Sequence, residues 1–211
     1  MIQVVFGDSS RLMNPEAFSY HLNSLCESAK NRVLEAKRME HRANRLMYFL
    51  IADALYKRQK GEPLPQVLFS DRGKPYLEGG PAISVSHDKK LVAVAMSEAH
   101  KELGVDIQSQ PNPVMASRVR RRFLTPAPAY RKGAPEIEFM MAHVEKDGID
   151  LTPTHPYGTP SSFLGDYVLA EAVMKMSGGG FADFPNLGAL CATCETAILP
   201  LDEVAIGLAY R

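Results

Sequence analysis

The sequence predicts a mixed α/β fold, on three observations. Short alternating or β-branched apolar runs at 2–6, 82–86, 91–96 and 104–107 have the period and length of strands. Apolar residues recur at helical spacing through 46–60 and again through 162–177. The two kinds of segment alternate along 211 residues without a repeat of 20–50 residues, and the 45% hydrophobic content is enough for a substantial core.

The first strand, 2–6, lies in MIQVVFGDSS, which has no basic start and too short an apolar run for a secretory leader. After Asn14 and Pro15, Leu22, Leu25 and Cys26 recur at helical spacing. Leu46, Phe49, Leu50, Ala54 and Leu55 do so more strongly, in a helix that Gly61 and two prolines stop near Lys60. Three strands follow within 82–107. Residues 125–160 are rich in Pro and Gly and read as a long connection, with a short helix predicted over 136–144. Ser161 or Ser162 is the expected cap of a helix that runs to Ser177 and ends at the glycines 178–180. Apolar segments at 197–199 and 204–210 read as closing strands.

Chemistry-bearing residues concentrate in 73–108 and on the helix ending at Ser177. His87 and Asp88 stand at the end of a strand, where a side chain reaches a ligand. Asp106 and Gln108, two apart in an extended segment, share one face while Val105 and Ile107 take the other. Glu171 and Lys175 lie one turn apart on a helix stripe shared with Leu164 and Val168. For such a pair an exposed ion pair is the ordinary reading; the apolar company suggests an inward face.

Gly73-Lys74-Pro75, then Ser84-Val85-Ser86-His87, then Gly104-Val105-Asp106-Ile107, then Glu171-Ala172 with Lys175 together resemble the 4′-phosphopantetheinyl transferases of the two-domain, surfactin-synthetase-activating type. The resemblance implies a pseudo-dimer of two α/β halves with the site between them. Residues 1–104 would bind coenzyme A phosphates, and 105–211 would carry the metal and the catalytic helix. It implies transfer of the phosphopantetheine arm of coenzyme A to a serine of an acyl or peptidyl carrier protein, with release of 3′,5′-ADP. Asp106, Gln108 and Glu171 would hold Mg²⁺, and Asp106, Glu171 and Lys175 would be catalytic. Lys74, Ser86 and His87 would contact phosphate, with Arg42 and Arg45 from the basic 37–45 stretch gripping the 3′-phosphate. The chain departs from the family pattern at Gln108, where an acid is usual, at Tyr167 for Trp, at Ala170 for Lys, and at Ala127-Pro128 after the Arg-rich 118–123 segment.

Balanced charge, 24 basic against 24 acidic residues, argues against nucleic acid as the main partner. The basic surplus is local, nine Lys or Arg against four acids over 27–60, which suits a small polyphosphate. Three cysteines make no disulfide framework and point to a reducing compartment, the cytoplasm, and no segment has the length of a membrane span. Cys191 and Cys194 form a single C-x-x-C without further zinc ligands and are expected in an extended segment as ordinary buried thiols. Two other functions remain open at this level: a family member that binds coenzyme A or a carrier without transfer, and a metal-dependent phosphohydrolase using Asp106, His87 and Glu171.

Overall fold

A computed structural model describes residues 1–109, 137–155, 162–179, 187–201 and 204–211. The fold is mixed α/β. Strand β1 (Ile2–Asp8) is the centre of a five-stranded sheet whose order is β4 (Ala82–Asp88), β5 (Leu91–Ser97), β1, β7 (Ile137–Glu145), β8 (Gly148–Pro153). Every residue of β1 up to Gly7 is buried, the polar Gln3 included, as a strand covered on both faces must be. It pairs antiparallel with β5 and parallel with β7, so Val5 stands beside Val94 and Met140, and Val4 beside Ala95 and Phe139.

Those two rows face different layers. The Val5, Val94 and Met140 row packs on α3 (Met39–Lys60), through Leu46, Met47 and Ile51. The Val4, Ala95 and Phe139 row packs on Leu103, Val105 and Ile107 of β6 (Leu103–Gln108). Strand β6 belongs to a three-stranded sheet of order β6, β10 (Val204–Tyr210), β9 (Glu195–Leu201). Helix α4 (Ser162–Ser177) covers its outer face, beside the short α5 (Leu187–Ala192). The layers therefore run helix, sheet, sheet, helix, with apolar contacts at each boundary. Leu46, Ile51 and Leu55 are fully buried, each worth roughly 1.5–3 kcal/mol relative to exposure.

On the first layer, Asn14 caps α1 (Pro15–Asn23) and α2 (Glu27–Leu34) leads into α3. Helix α3 ends where predicted: Gly61 takes the left-handed conformation, φ 72°, and returns its N–H to the Lys57 carbonyl. Two short strands, β2 (Leu68–Phe69) and β3 (Pro75–Tyr76), pair with each other just before the site.

Two edges of different sheets, β4 and β6, are joined by side chains. Ser84 Oγ accepts from the Val105 N–H at 3.0 Å, Ser86 Oγ donates to Asp106 Oδ1 at 2.7 Å, and Asp88 Oδ2 accepts from the Ser109 N–H at 2.8 Å. The alternation Ser84, Ser86, Asp88 turns all three polar groups to this seam, while Ile83 and Val85 turn to the α3 side.

Two expectations are corrected. Residues predicted as a helix over 136–144 form β7, with Ala142 and Val144 buried and His143 and Glu145 exposed. The period of two wins because this segment supplies β1 with its second neighbour, and tertiary pairing overrides the helix propensity of Glu, Met and Ala. Cys191 lies in α5 and Cys194 just beyond it, not in an extended segment; both are half-buried and free. The boundary expected near Gly104 falls where the chain passes into the three-stranded sheet, although β7 and β8 return to the first sheet. The Arg-rich 118–123 segment, Ala127-Pro128, most of the long connection and Ser161 lie outside the described residues.

Candidate active site

Four elements converge at the upper end of the seam. Strand β6 delivers Asp106, and Gln108 lies on the same strand face, half-buried. Helix α4 lies against that face because two glycines admit its backbone. A Cβ on Gly104 would stand 1.9 Å from the Ala172 carbonyl oxygen, and one on Gly207 would stand 2.3 Å from that of Val168. Gly207 is the β10 partner of Asp106, and Gly104 precedes Asp106 on the same face, so the helix sits down beside the carboxylate.

Lys175 reaches from α4 to this carboxylate. Its Nζ lies 2.6 Å from Asp106 Oδ1 and 2.7 Å from Ser86 Oγ, and Ser86 donates to the same Oδ1. The Asp106 side chain is 6% exposed, so this is a closely held charge pair and not a surface bridge. The inward face expected for Lys175 is the one it takes, its ammonium crossing to β6. Tyr167 lies one turn before Glu171 on the same helix. Asp106 Oδ2 and Glu171 Oε1 remain buried without a hydrogen-bond partner among the described residues.

Burial raises the Glu171 pKa above the ordinary carboxyl value and the neighbouring Asp106 charge raises it further, against the lowering effect of Lys175. Burial likewise raises the Tyr167 phenol, with Glu171 and Asp106 adding to it.

Lys74 and His87 flank this pair. Lys74 extends from the turn before β3 and its Nζ donates to the Met176 carbonyl in the last turn of α4, where burial lowers its pKa. His87 stands exposed at the end of β4 with its ring edge-on to His41 of α3, centroids 6.1 Å apart. Partial desolvation and then the Lys175 ammonium hold its pKa below that of a free imidazole. Arg42 and Arg45 have a structural task. Arg42 Nε donates to the Ala36 carbonyl at 2.7 Å and Arg45 Nη1 to that of Arg32 at 2.6 Å, closing the carbonyl end of α2.

The structure thus brings together Asp106, Ser86, Lys175 and Glu171, with Lys74 at the end of the same helix and His87 next in the chain to Ser86. Sequence reasoning missed Gly207, for which no local signal exists. Ala170, at the place of the family's Lys, is fully buried under α4.

Two buried carboxylate oxygens without partners, from elements facing one another, are what a hard cation with oxygen preference takes up. Among the described residues no group of three or more His, Cys, Asp or Glu forms a cage, so the cation's remaining ligands would come from Gln108, water or a bound phosphate. A cavity of about 920 Å³ lies elsewhere, between α3 and the β7–β8 hairpin, and none of these residues lines it. Among the described residues no helix is long and apolar enough to cross a membrane. No protein-family model matches this sequence, and no curated protein matches it.

Proposed function

We propose that the chain transfers the 4′-phosphopantetheine group of coenzyme A to a serine of an apo acyl or peptidyl carrier protein, releasing 3′,5′-ADP. The observation that carries this reading is the pair of unpartnered buried oxygens, Asp106 Oδ2 and Glu171 Oε1, with Lys175 and Ser86 bonded to Asp106. Of the residues that resemble the transferase motifs, Ser86, Asp106 and Lys175 are in contact. The pseudo-dimeric organisation of the family is part of the same proposal.

In this reading the carrier serine oxygen attacks the phosphorus that bears the pantetheine arm. The bond from that phosphorus to the bridging oxygen breaks, and 3′,5′-ADP leaves with the bridging oxygen. Catalysis of this kind is mostly positioning and neutralisation of charge. Asp106 and Glu171, with Gln108 beside them, would hold Mg²⁺, which would supply charge neutralisation on the diphosphate. Glu171 accepts the serine proton. Lys175 holds Asp106 in place and has its ammonium at the site for phosphate. Lys74 and His87 bind phosphate oxygens from the sides. Arg42 and Arg45 would serve the 3′-phosphate only by leaving the α2 carbonyls.

A second reading, a member that binds coenzyme A or a carrier without transfer, is favoured by one observation: Lys175 already neutralises Asp106. Incubation with coenzyme A, Mg²⁺ and an apo carrier, followed by weighing the carrier, separates the two. The transferase reading expects a gain of one phosphopantetheine, lost in Glu171→Gln with the fold intact by circular dichroism. A carrier of unchanged mass overturns it, and coenzyme A binding in that case supports the second reading.

A further inference from the structure

We propose that Lys89, which belongs to none of the resembled motifs, is a further binding residue of the site, its ammonium taking a phosphate group of coenzyme A. The proposal rests on coenzyme A as the ligand and deepens that reading by adding a contact that the motifs do not contain.

Lys89 and Lys90 connect β4 to β5, between the paired residues Asp88 and Leu91. Among the described residues Lys89 is the only one other than glycine with a positive φ, 52°. In that left-handed region a side chain crowds its own backbone, so turns that need it ordinarily use Gly, Asn or Asp. The backbone therefore gives no reason for a lysine here. The fold nevertheless fixes the conformation with two buried polar side chains from other elements. Asn44 of α3, 3% exposed, donates from Nδ2 to the Lys89 carbonyl at 2.7 Å. Its Oδ1 accepts from the Oγ of Ser9, which is fully buried just after β1, and the Ser9 N–H donates to the Lys90 carbonyl at 2.9 Å. An uncommon backbone conformation held by its surroundings is the pattern found where a side chain has to be aimed.

The aim is along the seam between β4 and β6. Lys89 Nζ donates to Ser109 Oγ at 3.2 Å, and the Ser109 N–H donates to Asp88. Asp88 stands two residues beyond Ser86 on β4, a rise of about 7 Å, so this ammonium lies one rung along the seam from Asp106 and Lys175. The motif lysines and the two arginines of α3 are already engaged: Lys175 by Asp106, Lys74 by the Met176 carbonyl, Arg42 and Arg45 by carbonyls at the end of α2. Among the described residues Lys89 makes no ion pair. Its exposed ammonium holds a neutral hydroxyl, a weaker partner than a phosphate oxygen.

Calorimetry of the full chain with coenzyme A and Mg²⁺ tests this, with urea denaturation of each variant beside it. Lys89→Asn removes the charge and keeps a residue that tolerates the left-handed region; Lys89→Arg keeps the charge. The expected result is coenzyme A affinity roughly tenfold to a hundredfold weaker in Lys89→Asn, with a urea midpoint at or above that of the wild type, and affinity retained in Lys89→Arg. Repeating the titration with 3′-dephospho-coenzyme A identifies the phosphate: a loss that persists assigns the diphosphate, and a loss that disappears assigns the 3′-phosphate. Wild-type affinity in Lys89→Asn overturns the role of Lys89 and leaves coenzyme A as the ligand. An equal loss in Lys89→Asn and Lys89→Arg traces the effect to the turn and not to the charge, and also overturns it. No binding of coenzyme A by the wild type overturns the underlying reading and the proposal with it.

Discussion

Gly104→Ala tests whether the site depends on how closely α4 rests on the three-stranded sheet. The added Cβ would lie 1.9 Å from the Ala172 carbonyl oxygen, 2.5 Å from the Met176 nitrogen and 2.9 Å from Met176 Cβ. All three atoms belong to α4, and two are backbone, so no side chain can rotate aside. Restoring ordinary contact at 3.4 Å requires the helix to recede by about 1.5 Å. The same displacement would stretch the 2.6 Å Lys175–Asp106 contact to about 4 Å, past hydrogen-bonding range. Overpacking a core costs typically 1–3 kcal/mol, and a backbone clash belongs at the upper end, so about 3 kcal/mol is expected. For a chain of this size that lowers the melting temperature by about 6–12 °C. Urea denaturation measures the stability and mass analysis of the carrier measures transfer; both should fall together. A Gly104→Ala protein within about 0.5 kcal/mol of wild type would refute the close approach of α4 as the reason for glycine at this position.

Gln108→Glu restores a full charge on the face of Asp106 and should lower the Mg²⁺ concentration for half-maximal transfer; a titration with an equal or higher requirement shows that position 108 does not serve the cation. Lys74→Met should weaken coenzyme A binding by roughly 1.5–3 kcal/mol, read by calorimetry, and unchanged affinity removes Lys74 from the phosphate contacts. His87 has a lowered folded pKa, so the stability it contributes is present above the ordinary imidazole value of 6.5 and is lost as pH falls through the lowered value. A bound phosphate would raise that pKa, so coenzyme A binding near neutral pH should take up a proton, measured as a dependence of the binding heat on buffer ionisation; His87→Gln should abolish the dependence.

Where local pattern and tertiary role coincide, the sequence was legible. The alternation of Ile83, Ser84, Val85 and Ser86 named the strand, and Gly61 marked the end of α3 by its backbone requirement. Residues 137–145 were misread because their composition suits a helix while their place beside β1 is fixed by a partner 135 positions away. Arg42 and Arg45 look like ligand groups in a basic stretch, yet the α2 carbonyls they close were invisible before the α2–α3 corner was known. Asp106, Glu171 and Lys175 were recognisable as candidates. That Lys175 crosses to Asp106 follows from the rotation of α4, which Gly104 and Gly207 set.

The position of β1 between β5 and β7 has a consequence for synthesis. Ile2 pairs with Ser97 on one side and Ile137 on the other. At about 5–20 residues per second, the ribosome takes roughly 7–27 s to travel from residue 2 to residue 137. Throughout that time Ile-Gln-Val-Val-Phe, a short uncharged run of high strand propensity, has emerged without its second neighbour, a state open to pairing with the same segment of another nascent chain. The yield of folded protein should therefore fall with polysome density and rise when translation of 8–137 is accelerated, whereas refolding of the complete chain from dilute denaturant escapes this hazard.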